Sequence, residues 1–174
     1  GVIHRNLDIK KQVLEIKKVK KQKLIVGAAV GAAPNEFIRA KEIIKEGVDL
    51  IVVDTAHGHT KKVAEIITDY KKKKYKVIVV SSAMSGVTNE LIKKSLEISE
   101  NFSNSEHDVL VSSGEQVACS LIAGRLIHKG YKSRSWLSWQ VPIITVGIHK
   151  NSRINQINKN EIVRYLKKGG IPII

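Results

Sequence analysis

The spacing of apolar and polar positions divides the first half of the chain into alternating strands and helices. Apolar residues at helical spacing predict helices at 9–21, 35–46 and 60–70, the first of them capped by Asp8. Continuous runs rich in β-branched residues predict buried strands at 24–30, 48–54 and 76–80. This order predicts an α/β protein with a mostly parallel sheet, flanking helices and right-handed crossovers.

The second half continues the same pattern with longer helices. Helices are predicted at 87–99, 107–113, 116–128 and 158–168, with Gly114 as a hinge between the second and third. Strands are predicted at 132–137, 141–145 and 171–174. We expect the last strand to join those at 24–30, 48–54 and 76–80 in one sheet. The small polar turn at 81–86 would then lie at the carboxyl end of a strand, where open α/β sheets bind ligands.

Composition narrows the class of protein. The 174 residues are 43% hydrophobic with three prolines, which favours a folded globular domain. The net charge of +14 comes from lysines spread over several helices with few aromatic residues, which favours a solvated basic surface over a specific nucleic-acid module. No apolar run is long enough to span a membrane, and the polar first residues predict no signal peptide. The single cysteine, Cys119, lies in an apolar helical pattern, which predicts a core thiol in a reducing cytoplasm.

The second half contains four more specific sequence motifs, namely SAMSGVTN at 82–89, DVLVSSGEQV at 108–117, SWQ at 138–140 and HKNSRI at 149–154. They are similar in order and spacing to V-S-A-M-x-G-V-T-N, D-x-L-L-S-x-G-E-x-V/I, T/S-G/W-x-Q and H-G-N-A-R-I of aspartate kinases. Residues 76–174 therefore resemble the N-terminal part of an amino acid kinase domain without its first strand. The resemblance implies ATP-dependent phosphorylation of L-aspartate, with Mg, in amino acid biosynthesis.

The same resemblance implies roles for individual residues. The hydroxyls of Ser82 and Thr88 would bind the substrate carboxylate, Glu115 would pair with its ammonium group, and Arg153 would lie near the nucleotide. Alternatively, Ser82 caps a helix, Thr88 merely begins it, Glu115 is exposed and Arg153 is a surface arginine.

The sequence departs from the kinase pattern on the nucleotide side. Val146-Gly147 replaces a polar pair, and Lys150 replaces a glycine. The K-F-G-G-T-S strand is absent, and the sequence ends before G-F-Q-G and G-R-G-G-S-D. We therefore expect no phosphoryl transfer, and we assign no catalytic residue.

The first part resembles a different enzyme. The segments IHRNL at 3–7, VGAAVG at 26–31 and GVDLIVVDTAHGH at 47–59 are similar to IMP dehydrogenase, so residues 1–75 resemble a fragment of its TIM barrel. The resemblance implies NAD-dependent oxidation of IMP in GMP biosynthesis and an NAD contact at Asp54. Taken by itself, Asp54 is rather an acid near a helix with no ligand. Cys119 lies outside that family's catalytic loop. His57 and His59 suggest a metal only weakly, and no metal site is assigned.

Three functions follow from this hybrid, whose parts meet at the lysine-rich residues 71–76. The first is an aspartate kinase-like fragment, inactive as it stands, and the second is an IMP dehydrogenase-related protein. The third is a non-catalytic remnant of gene fusion or decay, so whether the chain is an enzyme stays open. Expected ligands are aspartate, IMP, ATP and NAD, the two cofactors bound poorly. Expected partners are a missing half-chain or a second copy.

Overall fold

The computed structural model describes residues 1–31, 33, 35–53 and 61–174, without the side chains of residues 61 and 62. The chain forms two compact units, Gly1–Thr55 and Ala56–Ile174. This division lies before the predicted boundary at residue 75, which is defined by resemblance and stays a prediction. None of the described helices is both long and apolar enough to cross a membrane.

In the first unit, the described residues form a three-stranded parallel sheet with two helices. Its elements are β1 (Val2–Ile3), α1 (Ile9–Lys21), β2 (Gly27–Val30), α2 (Glu36–Lys45) and β3 (Leu50–Val53). The strand order is β1-β2-β3, and Gly27 lies opposite Val2 on one side and Leu50 on the other. Residues 2–3, for which the sequence pattern predicts no strand, form one because they pair with an already extended neighbour.

The burial of these strands differs from the sequence prediction. All four residues of the central strand β2 are buried, as predicted. In β3, however, Leu50 is 55% exposed, so the prediction of a strand buried on both faces is wrong there. A strand of apolar residues is buried on both faces only where other elements cover both faces. The sequence of the strand alone does not show whether such elements are present.

Local signals predicted the helices of this unit correctly. The Asp8 carboxylate accepts a hydrogen bond from the Lys11 N–H at 2.9 Å, which satisfies one of the free amides at the start of α1. Gly47 follows α2 with φ of 77°, a conformation that glycine adopts without steric cost and that commonly ends a helix.

A buried glutamine joins four elements of the first unit. Gln12 on α1 is fully buried, and its Nε2 donates to the carbonyls of Ala29 in β2 at 2.9 Å and Ile3 in β1 at 3.2 Å. Its Oε1 accepts from Arg39 of α2 at 2.9 Å. Because every polar atom of the amide has a partner, the side chain is buried at little cost and sets the position of α1 on the sheet.

Asp49 predicts an acid-sensitive step in the stability of the first unit. Its carboxylate accepts from the Val26 N–H at 2.9 Å and from Lys20 Nζ at 2.9 and 3.0 Å. The Val26 hydrogen bond and then Lys20 lower the pKa of Asp49 below its ordinary value of 3.8. Because the folded pKa is the lower one, this stabilisation is present above pH 3.8 and is lost as the pH falls through the folded pKa.

We therefore expect the unfolding temperature of the wild type to fall on acidification in that range, and Asp49→Asn to remove part of this dependence. Circular dichroism melts across a pH series measure it, with Glu42→Gln, at a partly exposed position of α2, as control. Identical pH profiles for the wild type and Asp49→Asn would contradict the assignment.

The described part of the second unit contains four helices and two small sheets. Its elements are α3 (Lys61–Lys72), α4 (Val87–Ile98), α5 (Asn104–His128), β4 (Ser133–Ser135), β5 (Ile143–Val146), β6 (Arg153–Ile157), α6 (Asn160–Lys167) and β7 (Ile171–Ile173). Strands β4 and β7 are parallel, whereas β5 and β6 form an antiparallel hairpin. Fully buried Leu126, Ile171 and Ile173 show where α5 and β7 form the core.

The α/β class is confirmed, but the prediction of one continuous sheet is wrong, because the described strands form three separate sheets. Residues 76–80 also differ from the predicted doubly buried strand. Val79 forms a single parallel bridge with Ile173, and Val80 is 79% exposed. A run of β-branched residues favours an extended backbone, but its pairing and burial depend on which neighbours reach it.

Candidate functional site

The candidate site is the turn before α4, against which α5 packs closely. Gly114 of α5 is buried, and a Cβ atom placed on it would lie 3.0 Å from the Ala83 Cβ and 3.2 Å from the Val87 Cγ1. The prediction of a hinge at Gly114 is wrong, because α5 runs unbroken from Asn104 to His128. The glycine instead removes a side chain where the helix meets the turn.

Glu115, the next residue, reaches the same turn. Its Oε1 accepts a hydrogen bond from the Ala83 N–H at 3.2 Å, across 32 positions of sequence. The side chain is half-buried. A carboxylate has about four acceptor sites on two oxygens, so this bond leaves capacity for a cationic group.

The turn itself presents backbone amides at the start of α4. Gly86 has φ of 86° and supplies no capping side chain, while the Val87 N–H donates to the Met84 carbonyl at 3.0 Å. Amides in the first turn of a helix, together with the helix dipole, favour a negative group. This arrangement is suited to a carboxylate.

Two of the predicted substrate residues lie on either side of that turn. Ser82 directly precedes Ala83 and is exposed, and Thr88 lies in the first turn of α4 and is half-buried. Glu115 is brought to this segment by its bond to Ala83, so all three predicted residues belong to one region of the fold. Their roles as substrate contacts stay predictions.

Of the two predicted nucleotide-side residues, the structure describes Arg153 and not Asp54. Arg153 lies on the exposed strand β6, where it pairs with Val146 of β5. Asp54 falls outside the described residues, as do His57 and His59. Among the residues that the structure describes, no group of three His, Cys, Asp or Glu side chains could hold a metal ion.

Sequence reasoning missed a contact between α5 and the hairpin turn. Asp108 Oδ2 lies 2.6 Å from His149 Nδ1 and 3.4 Å from the Lys150 N–H that donates to it. The hydrogen bond from His149 is the main cause that lowers the pKa of Asp108. Both residues lie in segments that resemble the kinase, but they are 41 positions apart, and no local sequence pattern indicates that they pair.

Cys119 is a core thiol, as predicted. The side chain is 3% exposed, and burial, followed by the charge of Glu115, raises the pKa of the thiol. The thiolate is the nucleophilic form, so this environment makes the sulfur unreactive.

Comparison with known proteins gives several aspartokinases as relatives of this chain. An aspartokinase of Rickettsia felis is 42% identical over 117 residues, which cover 66% of this chain and 29% of the relative. An aspartokinase of Geobacillus stearothermophilus is 41% identical over 112 residues, covering 64% of this chain and 28% of the relative. Aspartokinase 2 of Bacillus subtilis is 41% identical over 104 residues, covering 60% and 26% respectively. The chain thus spans less than a third of the length of these curated relatives.

The family model of the IMP dehydrogenase / GMP reductase domain matches residues 1–99 of the sequence. This match extends past the predicted boundary at residue 75 and overlaps the aspartokinase alignments, since those cover too much of the chain to lie wholly beyond residue 99. The predicted combination of two families is confirmed. The chain belongs to the IMP dehydrogenase / GMP reductase domain family, and it also carries a segment similar to aspartokinases.

Proposed function

We propose that the aspartokinase-like residues form a binding site for an α-amino dicarboxylic acid of the aspartate type, and that the chain described here does not transfer phosphate to it. The observation that carries this proposal is the hydrogen bond from the Ala83 N–H to Glu115 Oε1. Through this bond the Glu115 carboxylate contacts the turn at residues 81–86. The resemblance assigns Glu115 to the ammonium group of the substrate and the turn to its carboxylate.

The chemistry of the cluster matches the α-carboxylate and the α-ammonium group of such a ligand. The ligand's α-carboxylate would bind the uncapped amides at the start of α4 and the hydroxyls of Ser82 and Thr88. Its ammonium group would bind the second oxygen of Glu115. A site with hydrogen-bond donors for a carboxylate next to an acceptor for an ammonium group selects a zwitterionic amino acid over a simple dicarboxylate.

Phosphoryl transfer needs further cations to neutralise the transferring phosphate. The K-F-G-G-T-S strand that supplies a lysine in aspartate kinases is not found among residues 1–75, which resemble IMP dehydrogenase instead. Lys150 and Val146-Gly147 also change the nucleotide side. ATP binding is therefore proposed to be weak, and amino-acid binding is the function retained.

IMP oxidation is the second candidate, because the family match favours it. It requires a reactive cysteine, and the sequence has one cysteine. That residue is Cys119, which is buried in α5 with a raised pKa. We therefore propose that the dehydrogenase-like residues act as a folded frame without catalysis, so that IMP and NAD yield no NADH with residues 1–174.

Isothermal titration of the purified protein with L-aspartate and with succinate tests the binding proposal. The wild type should bind L-aspartate more tightly, and Glu115→Gln should weaken aspartate binding by about tenfold or more, the effect of one charged hydrogen bond. Succinate lacks the ammonium group, so its affinity should change little in the same variant. The amide oxygen of the substituted side chain can still accept from the Ala83 N–H, so the turn is preserved.

Glu106→Gln, an exposed change in the first turn of the same helix, is the matched control and should bind like the wild type. Equal aspartate affinity in Glu115→Gln and the wild type would reject the proposed site. A coupled assay for ADP from ATP and aspartate tests turnover. ADP production that disappears in Glu115→Ala would show an active kinase and overturn the second half of the proposal.

A further inference from the structure

Residues 76–80 are more exposed than their sequence pattern predicts. The segment KVIVV is typical of a parallel strand with other elements on both faces. In the structure Ile78 is 46% exposed and Val80 is 79% exposed. Apolar β-branched side chains at neighbouring exposed positions of an extended segment are a feature that proteins normally cover.

The backbone of this segment is bonded on one side. The Val79 N–H donates to the Pro172 carbonyl at 3.0 Å, and the Ser81 N–H donates to the Ile174 carbonyl at 2.9 Å. The Val79 carbonyl accepts from the Ile174 N–H at 2.8 Å. In an extended chain alternate residues direct their backbone groups to opposite sides, so Ile78 and Val80 direct theirs away from β7.

Within the part of the chain that the structure describes, no hydrogen bond involves the backbone of Ile78 or Val80. We call this side of residues 76–80 the open edge. It offers backbone donors and acceptors for one more strand, which is the geometry used when a sheet binds an extended peptide.

The positive charges next to the open edge indicate which side chains an added strand should have. Lys74 and Lys76 are exposed, and among the described residues neither ammonium group has an ion-pair partner. They precede the apolar residues of the segment along the chain, in a protein with a net charge of +14. A strand with acidic residues on its own N-terminal side would pair with them if it ran parallel.

We propose that the open edge binds an extended segment of a partner protein, in which acidic residues immediately precede a run of valine, isoleucine and threonine. The segment adds as a parallel strand beside residues 76–80. Its backbone bonds with Ile78 and Val80, and its side chains on the exposed face contact the side chains of these two residues. Its acidic residues pair with Lys74 and Lys76.

The parallel direction follows from the existing pairs and from the composition. Val79 and Ile173 are paired in parallel, as are β4 and β7. Uninterrupted β-branched runs are also typical of parallel rather than antiparallel strands. This proposal uses the edge of residues 76–80 and no contact of Glu115, so it is independent of the aspartate site.

The probe is a short fluorescent peptide in which several aspartates precede alternating valine, isoleucine and threonine, titrated with the full protein in a polarisation assay. We expect saturable binding that weakens about fivefold or more in Val80→Pro, since proline removes one N–H donor at the edge. Val80→Thr keeps the N–H and the branched side chain, and it should bind nearly as well as the wild type. Circular dichroism verifies that both variants are folded.

Reversing the charge at Lys74 and Lys76 tests their contribution to peptide binding. The double variant Lys74→Glu, Lys76→Glu should lose affinity for the aspartate-flanked peptide and gain it for a lysine-flanked one, which a merely destabilised protein would not do. Tighter binding of a peptide with its aspartates at the C-terminal end would overturn the parallel direction. Binding that is equal in Val80→Pro and the wild type would overturn the open edge as the site. Self-association of the protein that excludes the peptide would assign the edge to a second copy instead and reject the proposal.

Discussion

Gly114→Leu is expected to destabilise the Ala56–Ile174 unit by about 1–3 kcal/mol, the usual cost of forcing a larger side chain into a packed contact. The Cβ alone would lie 3.0 Å from Ala83 and 3.2 Å from Val87, so α5 and the turn must separate. Replacing a glycine inside a helix also gains up to about 1 kcal/mol of helix propensity, which opposes the effect without cancelling it. The overpacking should therefore decide the sign.

The same helix offers a matched control. Gly124 is exposed, and a Cβ placed on it would have nothing within 4 Å. Gly124→Leu should leave stability unchanged or increase it by the helix propensity alone. Urea unfolding followed by circular dichroism measures both variants, and equal midpoints would show that Gly114 is not a tight contact. Aspartate titration of Gly114→Leu provides a second measurement, because separation of Ala83 from Glu115 should weaken binding there.

Gln12→Leu should destabilise the Gly1–Thr55 unit by about 2–5 kcal/mol. The substitution leaves the Ala29 and Ile3 carbonyls and one Arg39 N–H without the partner that the glutamine supplies, and each buried polar group left unsatisfied costs roughly 1–3 kcal/mol. Leucine is similar in size to glutamine, so a cavity contributes little. The change in the free energy of unfolding of this variant therefore measures mainly the loss of hydrogen bonds.

Hydrogen exchange measured by mass spectrometry locates this effect. Peptides that contain β2 and α2 should exchange faster in Gln12→Leu than in the wild type. Gln22→Leu is the control, because Gln22 is exposed directly after α1 and its side chain makes no described hydrogen bond. Protection of β2 that is the same in both variants would contradict the proposed role of the buried glutamine.

Features that depend on neighbours along the chain were predictable. The Asp8 cap, the helix at 9–21 and the stop at Gly47 follow from side chains and backbone preferences within a few residues. The turn before α4 and the burial of Cys119 were also predictable, the first from its small residues and the second from helical periodicity. Such signals act over one or two helical turns and need no knowledge of the rest of the fold.

Part of the candidate site was predictable for a different reason. Resemblance to aspartate kinases named Ser82, Thr88 and Glu115, but it did not show that Glu115 would accept a hydrogen bond from Ala83. It also did not show the pairing of Asp108 with His149, which are separated by 41 positions. Contacts at this sequence distance depend on how helices and loops pack, and no local pattern encodes that distance.

The sequence by itself determined most of the helices, the Asp8 cap, the α/β class and the two family resemblances, because each depends on the order of neighbouring residues. Only the tertiary structure decided that Gly114 is a packing contact and not a hinge, and that Gln12 joins two strands and a second helix to α1. It also decided that no other described segment pairs with the open edge of residues 76–80. A glycine, a glutamine or a β-branched run has the same local preference in many settings. Its role is set by the groups brought next to it from elsewhere in the chain.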